Sequence, residues 1–157
     1  MPDIYIDADG CPVKQEVYRV AARHGLTVTV VANTWMQTPP DPSIRLALVP
    51  GQFDSVDDWI VEHVAEHDIV VSGDIPLASR CMKKGARVLD PRGRVFTEDS
   101  IVEALATRDL LAHLREIGAV TGGPPPIGKP DRSRFLQRLD EVIRSARRAT
   151  EAGERGA

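Results

Sequence analysis

The run "LTVTVVA" at positions 26–32 constrains this chain more than any other stretch. It is continuous and rich in β-branched residues, without the apolar–polar alternation of a strand that keeps one face in water. Such a run suits a strand buried on both faces, as in a parallel sheet covered by helices. Its surroundings agree. Upstream lies another short apolar run, "DIYID" (3–7), then Pro12 and a helical repeat of Val13, Val17, Val20, Ala21 and His24, stopped by Gly25. Proline suits a first helical turn and glycine a helix end.

The alternation continues downstream. "IRLALVP" (44–50) predicts a third strand, after a proline-rich connection "NTWMQTPPDPS" (33–43) that is long for a compact domain. Connections of that length tend to carry function. A helix is expected over 53–68, opened by a capping-box-like Ser55 and Asp58 and striped by Val56, Ile60 and Val64. "IVVSGD" (69–74) predicts strand four, "IPLASRCMKKG" (75–85) a helix, and "ARVLD" (86–90) strand five. A further helix is expected at 98–117, with Ile101, Leu105, Leu110, Leu114 and Ile117 on its buried side. The Gly- and Pro-rich segment 121–133 leads to a last amphipathic helix marked by Phe135, Leu136, Leu139, Val142, Ile143 and Ala146.

This pattern predicts an α/β fold: a mostly parallel five-stranded sheet in a three-layer sandwich, with a C-terminal helix. Residues 1–117 form the α/β domain, 118–149 a linker and helix packed on the same domain, and 150–157 a disordered tail. Right-handed crossovers restrict the order: if strands two and three run outward on one side of strand one, strands four and five occupy the other. The order is then 3-2-1-4-5, with its reversal between strands one and four. Ligands of open α/β sheets bind at that reversal, beyond the carboxyl ends of the strands. Asp7 and Asp74 end those two strands. Asp9 follows on the first loop, and Asp54, Asp57 and Asp58 open the helix leading to strand four. Carboxylates gathered without a cation repel one another, and a hard divalent ion such as Mg²⁺ or Mn²⁺ relieves that repulsion.

Bulk properties narrow the setting. The chain has 157 residues, is 42% hydrophobic, and carries a formal charge of −3. It contains no apolar run of the ~20 residues a membrane span needs, and Asp3 and Asp7 interrupt any signal-peptide pattern. With two unspaced cysteines, Cys11 and Cys81, reduced thiols and a cytoplasmic location are expected, and no membrane partner. Charge is uneven: residues 1–117 hold 12 Lys and Arg against 18 Asp and Glu, while 118–157 hold 8 against 5. A basic tail on an acidic body is compatible with a nucleic-acid partner. Lys14, Arg80, Arg92, Arg132 and Arg134 are the cations placed to hold a phosphate backbone.

Six stretches, "DADGCP" (7–12), "FDSVDD" (53–58), "DIPLA" (74–78), "PRG" (91–93), "TGGP" (121–124) and "DRSRF" (131–135), together resemble the YaiI/YqxD family. These are bacterial proteins whose fold is regarded as PIN-like, and the resemblance extends from Asp3 to about Phe135. PIN-like domains are typically Mg²⁺- or Mn²⁺-dependent ribonucleases. The resemblance implies phosphodiester hydrolysis, RNA before DNA, with Asp7, Asp57 and Asp74 as catalytic metal ligands. A fourth acid of such sites corresponds to Asp90, a position poorly fixed in this family, and Asp9 can serve instead.

Two other functions fit parts of the chain. A PIN-like module that binds nucleic acid or protein without cutting is consistent with three carboxylates in place of four. "DIYIDADG" also resembles the first motif of haloacid-dehalogenase-type phosphatases, with Asp7 as nucleophile and Asp9 as acid/base. That motif order requires a lysine between the Ser and a later acid pair; here Lys83 and Lys84 follow Ser72 and Asp74, with no convincing acid pair beyond. Simpler roles compete at several positions. Asp74 can cap the helix at 75, and acids at 57 and 58 suit a first helical turn. His63 and His67 read as a solvated face and Cys11 as a packed thiol; Trp35 and Met36 fit base stacking in a nucleic-acid site or, more simply, fold back to anchor their loop.

Overall fold

The computed structural model describes residues 1–155 apart from Phe53 and Pro124, with the side chains of Glu154 and Arg155 also left out. Five strands, β1 (Ile4–Asp7), β2 (Val28–Ala32), β3 (Ile44–Leu48), β4 (Ile69–Val71) and β5 (Arg87–Leu89), form one sheet. Their order is β3-β2-β1-β4-β5 and every neighbouring pair is parallel, as the alternation predicts. β1, β2 and β4 are buried along their whole length, which explains their unbroken apolar runs.

Helices cover both faces. α1 (Lys14–His24) and the long α5 (Lys129–Arg155) pack on one, burying Ile4, Ile6, Val28, Val30, Val71 and Leu89. α2 (Ser55–His63), α3 (Ile75–Lys83) and α4 (Glu98–Glu116) pack on the other, over Tyr5, Val31, Val70 and Val88. The alternate side chains of each strand serve opposite layers, so the molecule is a three-layer sandwich. Among the described residues, no helix is long and apolar enough to cross a membrane. Cys11 and Cys81 are both buried and free.

Several local expectations need correction. α2 begins at Ser55 with Asp54 as its cap, and neither a side-chain cap bond nor the Ser55/Asp58 box forms. The helix also stops at His63 rather than 68, because residues 64–68 turn back to the sheet. There Asp68 accepts the backbone N–H groups of Asp3 and Ala65, at 2.9 Å each, and His67 takes a φ of 72°. The opposite occurs at the C-terminus, where helical bonding in α5 runs to Arg155, past the expected boundary at 149. Residues 156 and 157 lie outside the described residues, as do Phe53 and Pro124 of the "FDSVDD" and "TGGP" stretches. In α4 only Ile101 and Ala104 are buried; Leu110 and Ile117 are exposed, and Leu105 and Leu114 half-buried. Its first turns pack on α3 and the rest extends past the edge of the layer, so periodicity marked a stripe that has no neighbour to bury it.

The C-terminal helix is fastened at both edges of the sheet, where its strands begin and where they end. His24 Nε2 lies 2.7 Å from Asp140 Oδ1, joining the end of α1 to the middle of α5. Arg132 donates to Glu16 at 3.1 Å and to the carbonyl of Pro12 at 2.8 Å. Arg92, just after β5, donates to Asp131 at 3.0 Å and also to the Pro125 carbonyl. Gly93 explains why "PRG" and "DRSRF" occur together. Its φ is +88°, and a Cβ there would meet Phe135 N at 3.0 Å and the Arg134 carbonyl carbon at 3.1 Å. Gly10, at φ +68°, has open space around it. Gly93→Ala therefore combines backbone strain with a clash, and is expected to cost about 2 kcal/mol or more in urea unfolding. Gly10→Ala carries the strain alone and is expected to cost about 1 kcal/mol. Equal losses at the two positions would show that α5 does not press on the turn as described.

Candidate functional site

The parallel topology ends β1, β2 and β4 at one rim, and the loops leaving them enclose a cleft of about 250 Å³. Asp7, Asp9, Gly10, Asn33, Val56, Asp57, Gly73 and Asp74 line it. The acids expected at the reversal thus converge from three separated parts of the chain. Asp7 comes from the end of β1, Asp57 from the first turn of α2, and Asp74 from the residue before α3. Asp9 lies on the loop after β1, which turns at Gly10.

Each carboxyl is held differently. Asp7 is 8% exposed, and its Oδ2 accepts a hydrogen bond of 3.0 Å from Ser72 Oγ. Burial pushes its pKa up, with the charges of Asp74 and Asp9 adding to the rise and the Ser72 bond opposing it. Asp74 caps α3: its Oδ1 accepts the Leu77 N–H at 3.0 Å. Ser72 joins the two, donating to Asp7 while its Oγ accepts the Asp74 N–H at 3.0 Å. Sequence reading gave Ser72 no part in the main site. Its signal was a hydroxyl in the last turn of an otherwise apolar strand end, and at 1% exposure such a group needs a partner. Asn33, directly after β2, also escaped notice because an amide after a strand looks like a turn residue.

Asp57 carries the largest carboxylate shift, from 3.8 to about 6. Partial burial is the main cause; Asp74, Asp7 and Asp54 add to it, and Arg80 opposes it. Among the described residues neither Asp57 nor Asp9 has a side-chain hydrogen-bond partner. Nor do any three His, Cys, Asp or Glu side chains there group closely enough to hold a metal ion as they stand. The donors nevertheless suit a hard cation, being carboxylate oxygens with an amide beside them. Two of the four carboxylates are held by neutral donors, Asp7 by Ser72 and Asp74 by the N-terminus of α3.

Other acids take structural roles. Asp90 accepts the N–H groups of Arg92 and Arg94, at 3.0 and 2.9 Å, and closes the turn after β5 instead of lining the cleft. Asp58 pairs with Arg80 at 2.9 Å. The cations expected to hold a backbone are at the same rim but engaged. Arg92 and Arg134 both pair with Asp131, at 3.0 and 3.3 Å, and Arg132 with Glu16. Lys14 Nζ donates to the Cys11 carbonyl at 2.9 Å. Burial pushes the Cys11 thiol up, against a nucleophilic role. His63 bonds the Trp59 carbonyl and stacks on its indole with centroids 3.7 Å apart, at the far end of α2 from the cleft. Lys83 and Lys84 end α3, and the Lys84 ammonium bonds the Val61 carbonyl. That is the end of α3 remote from Asp7, where a phosphatase would need its lysine.

Against this geometry the relationships of the chain are clear. Its sequence matches, over residues 5–145, the model of the uncharacterised YaiI/YqxD family. A UPF0178 protein of Paramagnetospirillum magneticum is 55% identical over 148 residues, covering 94% of this chain and 98% of its own. Similar UPF0178 proteins occur in Rhodospirillum rubrum, 52% identical over 93% of this chain and 98% of its own, and in Rhodopseudomonas palustris, 55% identical over 93% and 94%. No solved structure matches the chain. The chain belongs to the YaiI/YqxD family.

Two outcomes check the electrostatics. Folding raises the Asp57 pKa, so between its ordinary value and about pH 6 the folded state binds more proton than the unfolded one. The stability of the metal-free protein should therefore fall as pH rises through that window. Asp57→Asn removes the effect: in chelator its melting temperature should exceed wild type at about pH 7.5 and match it near about pH 4. A variant less stable than wild type at the higher pH would refute the repulsion. Ser72→Ala strands one oxygen of Asp7 and the Asp74 N–H, and should cost about 1–3 kcal/mol in denaturant titration.

Proposed function

We propose that this protein is a divalent-metal-dependent nuclease that hydrolyses phosphodiesters, with RNA favoured over DNA. The observation that carries the reading is the single cleft lined by Asp7, Asp9, Asp57 and Asp74 at the reversal of the sheet. Burial and mutual repulsion raise Asp7 and Asp57 there, a cost that a bound cation would remove. The resemblance to PIN-like ribonucleases supplies the preference for RNA.

In this reading Asp7 and Asp74 hold Mg²⁺ or Mn²⁺, with Asp57 and Asp9 completing the acidic wall. The bound ion supplies charge neutralisation at the scissile phosphate and a more acidic water. Asp57 and Asp9 have no side-chain hydrogen bond among the described residues, and Asp57, with its raised pKa, is the one suited to accept the proton of the attacking water. Ser72 fixes the orientation of Asp7 and, through the Asp74 backbone, the start of α3. Arg80, 45% exposed and facing Asp58 and Asp57, is the cation best placed to meet a neighbouring phosphate. Arg92 and Arg132 contribute mainly by holding α5 at the rim, while Arg134, paired only within α5 and 53% exposed, is open to substrate.

A module that binds without cutting is the second reading. It is favoured by the open spacing of the carboxylates, which as they stand form no metal-sized group. Calorimetry with Mn²⁺ and hydrolysis of a single-stranded RNA separate the two. The nuclease reading expects Mn²⁺ binding at millimolar concentration or tighter, lost in Asp7→Asn/Asp74→Asn, and a fall in cleavage of about 100-fold or more. Binding of RNA without metal-dependent cleavage would establish the second reading in its place.

A further inference from the structure

The connection from β2 to β3 holds a side chain that the acid cleft alone does not use. It begins with Asn33, which lines the cleft, and two residues later Trp35 is 72% exposed. No other large apolar side chain among the described residues is as open. The expectation that this loop folds its apolar residues back holds for Met36, which packs on the core beneath α1 and α5. It fails for Trp35. Exposing an indole forfeits the burial that a tryptophan ordinarily gains, and the loop is no loose strand on which that would be incidental. Pro39, Pro40 and Pro42 stiffen it. Asp41 accepts the Ser43 N–H and hydroxyl at 2.8 and 2.7 Å, and the Ile44 N–H bonds the Asp41 carbonyl at 3.0 Å. Met36 below and this turn beyond fix the base of the indole while its ring stays in water.

The position relative to the cleft gives the exposure a use. Two residues of chain span at most about 7 Å, so the backbone of Trp35 stands beside Asn33 at the edge of the cleft. We infer that Trp35 is a stacking platform for an unpaired base of a nucleic-acid strand whose phosphate lies in the cleft of Asp7, Asp57 and Asp74. An aromatic face stacks on any base, giving affinity with little sequence preference, and it requires a base released from pairing. The substrate class is therefore single-stranded, and duplex is excluded from productive binding. This rests on the nuclease reading for the phosphate position; the stacking itself rests on Trp35.

The test uses the full chain, with an oligouridylate, a blunt duplex of matched length, and an abasic ribose-phosphate oligomer as probes. In Mg²⁺, Trp35→Ala should raise KM for the oligouridylate roughly 5- to 100-fold, with the loss falling on KM rather than kcat. Trp35→Phe should recover most of it. The oligouridylate should quench tryptophan emission in wild type and in Trp59→Phe but not in Trp35→Ala, and the abasic oligomer should not quench. Cleavage by wild type with an unchanged KM in Trp35→Ala, or equal quenching by both oligomers, overturns the stacking and leaves the nuclease reading standing. Quenching and base-dependent binding without cleavage would keep the platform and remove the nuclease. If wild type self-associates and Trp35→Ala abolishes the association without affecting RNA, the indole belongs to an interface between copies and the inference falls.

Discussion

The right-handed crossover of parallel strands is the constraint from which the site follows. β1 reaches β2 through α1 on one face, and β3 reaches β4 through α2 on the other. Because the chain cannot cross in the other hand at acceptable cost, the direction of strand addition must reverse beside β1. The reversal leaves no helix to close the gap between the loops after β1 and β4. Whatever residues end those strands face one another across it. In this chain Asp7 ends β1, and Asp74, three residues past the end of β4, caps α3 opposite it.

Placing acids at such a gap sets repulsion against the demand that buried polar groups be bonded. Ser72 moderates it with one hydroxyl that satisfies Asp7 and a backbone N–H together. The N-terminus of α3 moderates it again by engaging Asp74. Asp57 receives no such help, and its raised pKa marks where the strain remains. The same site is thus kept folded by neutral donors and left electrostatically incomplete by the acids they do not serve.

The opposite charge collects in the layer around α5. Arg132 of α5 reaches Glu16 at the start of α1, Arg92 in the turn after β5 reaches Asp131 of α5, and Arg134 pairs with Asp131 within the helix. Those ion pairs are exposed or half-buried, so their separate contributions to stability are small. Their effect is positional: Gly93 lets the α5 backbone approach closely, and the pairs hold that register. The basic excess of the C-terminal segment therefore builds the rim before it can meet any ligand.

The strand order, the parallel pairing and the convergence of Asp7, Asp57 and Asp74 were legible without coordinates, because they depend on apolar runs, helix punctuation and chain handedness, all local or topological. The resemblance in six short stretches pointed to the YaiI/YqxD family for a similar reason. Other features were not legible. A period of apolar residues in α4 cannot reveal whether a neighbour exists to cover them, and the capping signal at Ser55 cannot outweigh the way α2 meets the sheet. Ser72, Asn33 and the engagement of the arginines depend on side chains tens of residues apart, as does the outward aspect of Trp35 against the inward one of Met36. Sequence by itself pointed to the parallel sheet and to the acids that follow its first and fourth strands, since strand period and crossover hand narrow the arrangements to a few. Only the tertiary structure decided which groups are bonded, which are exposed and which repel, because those depend on distances that no local pattern encodes.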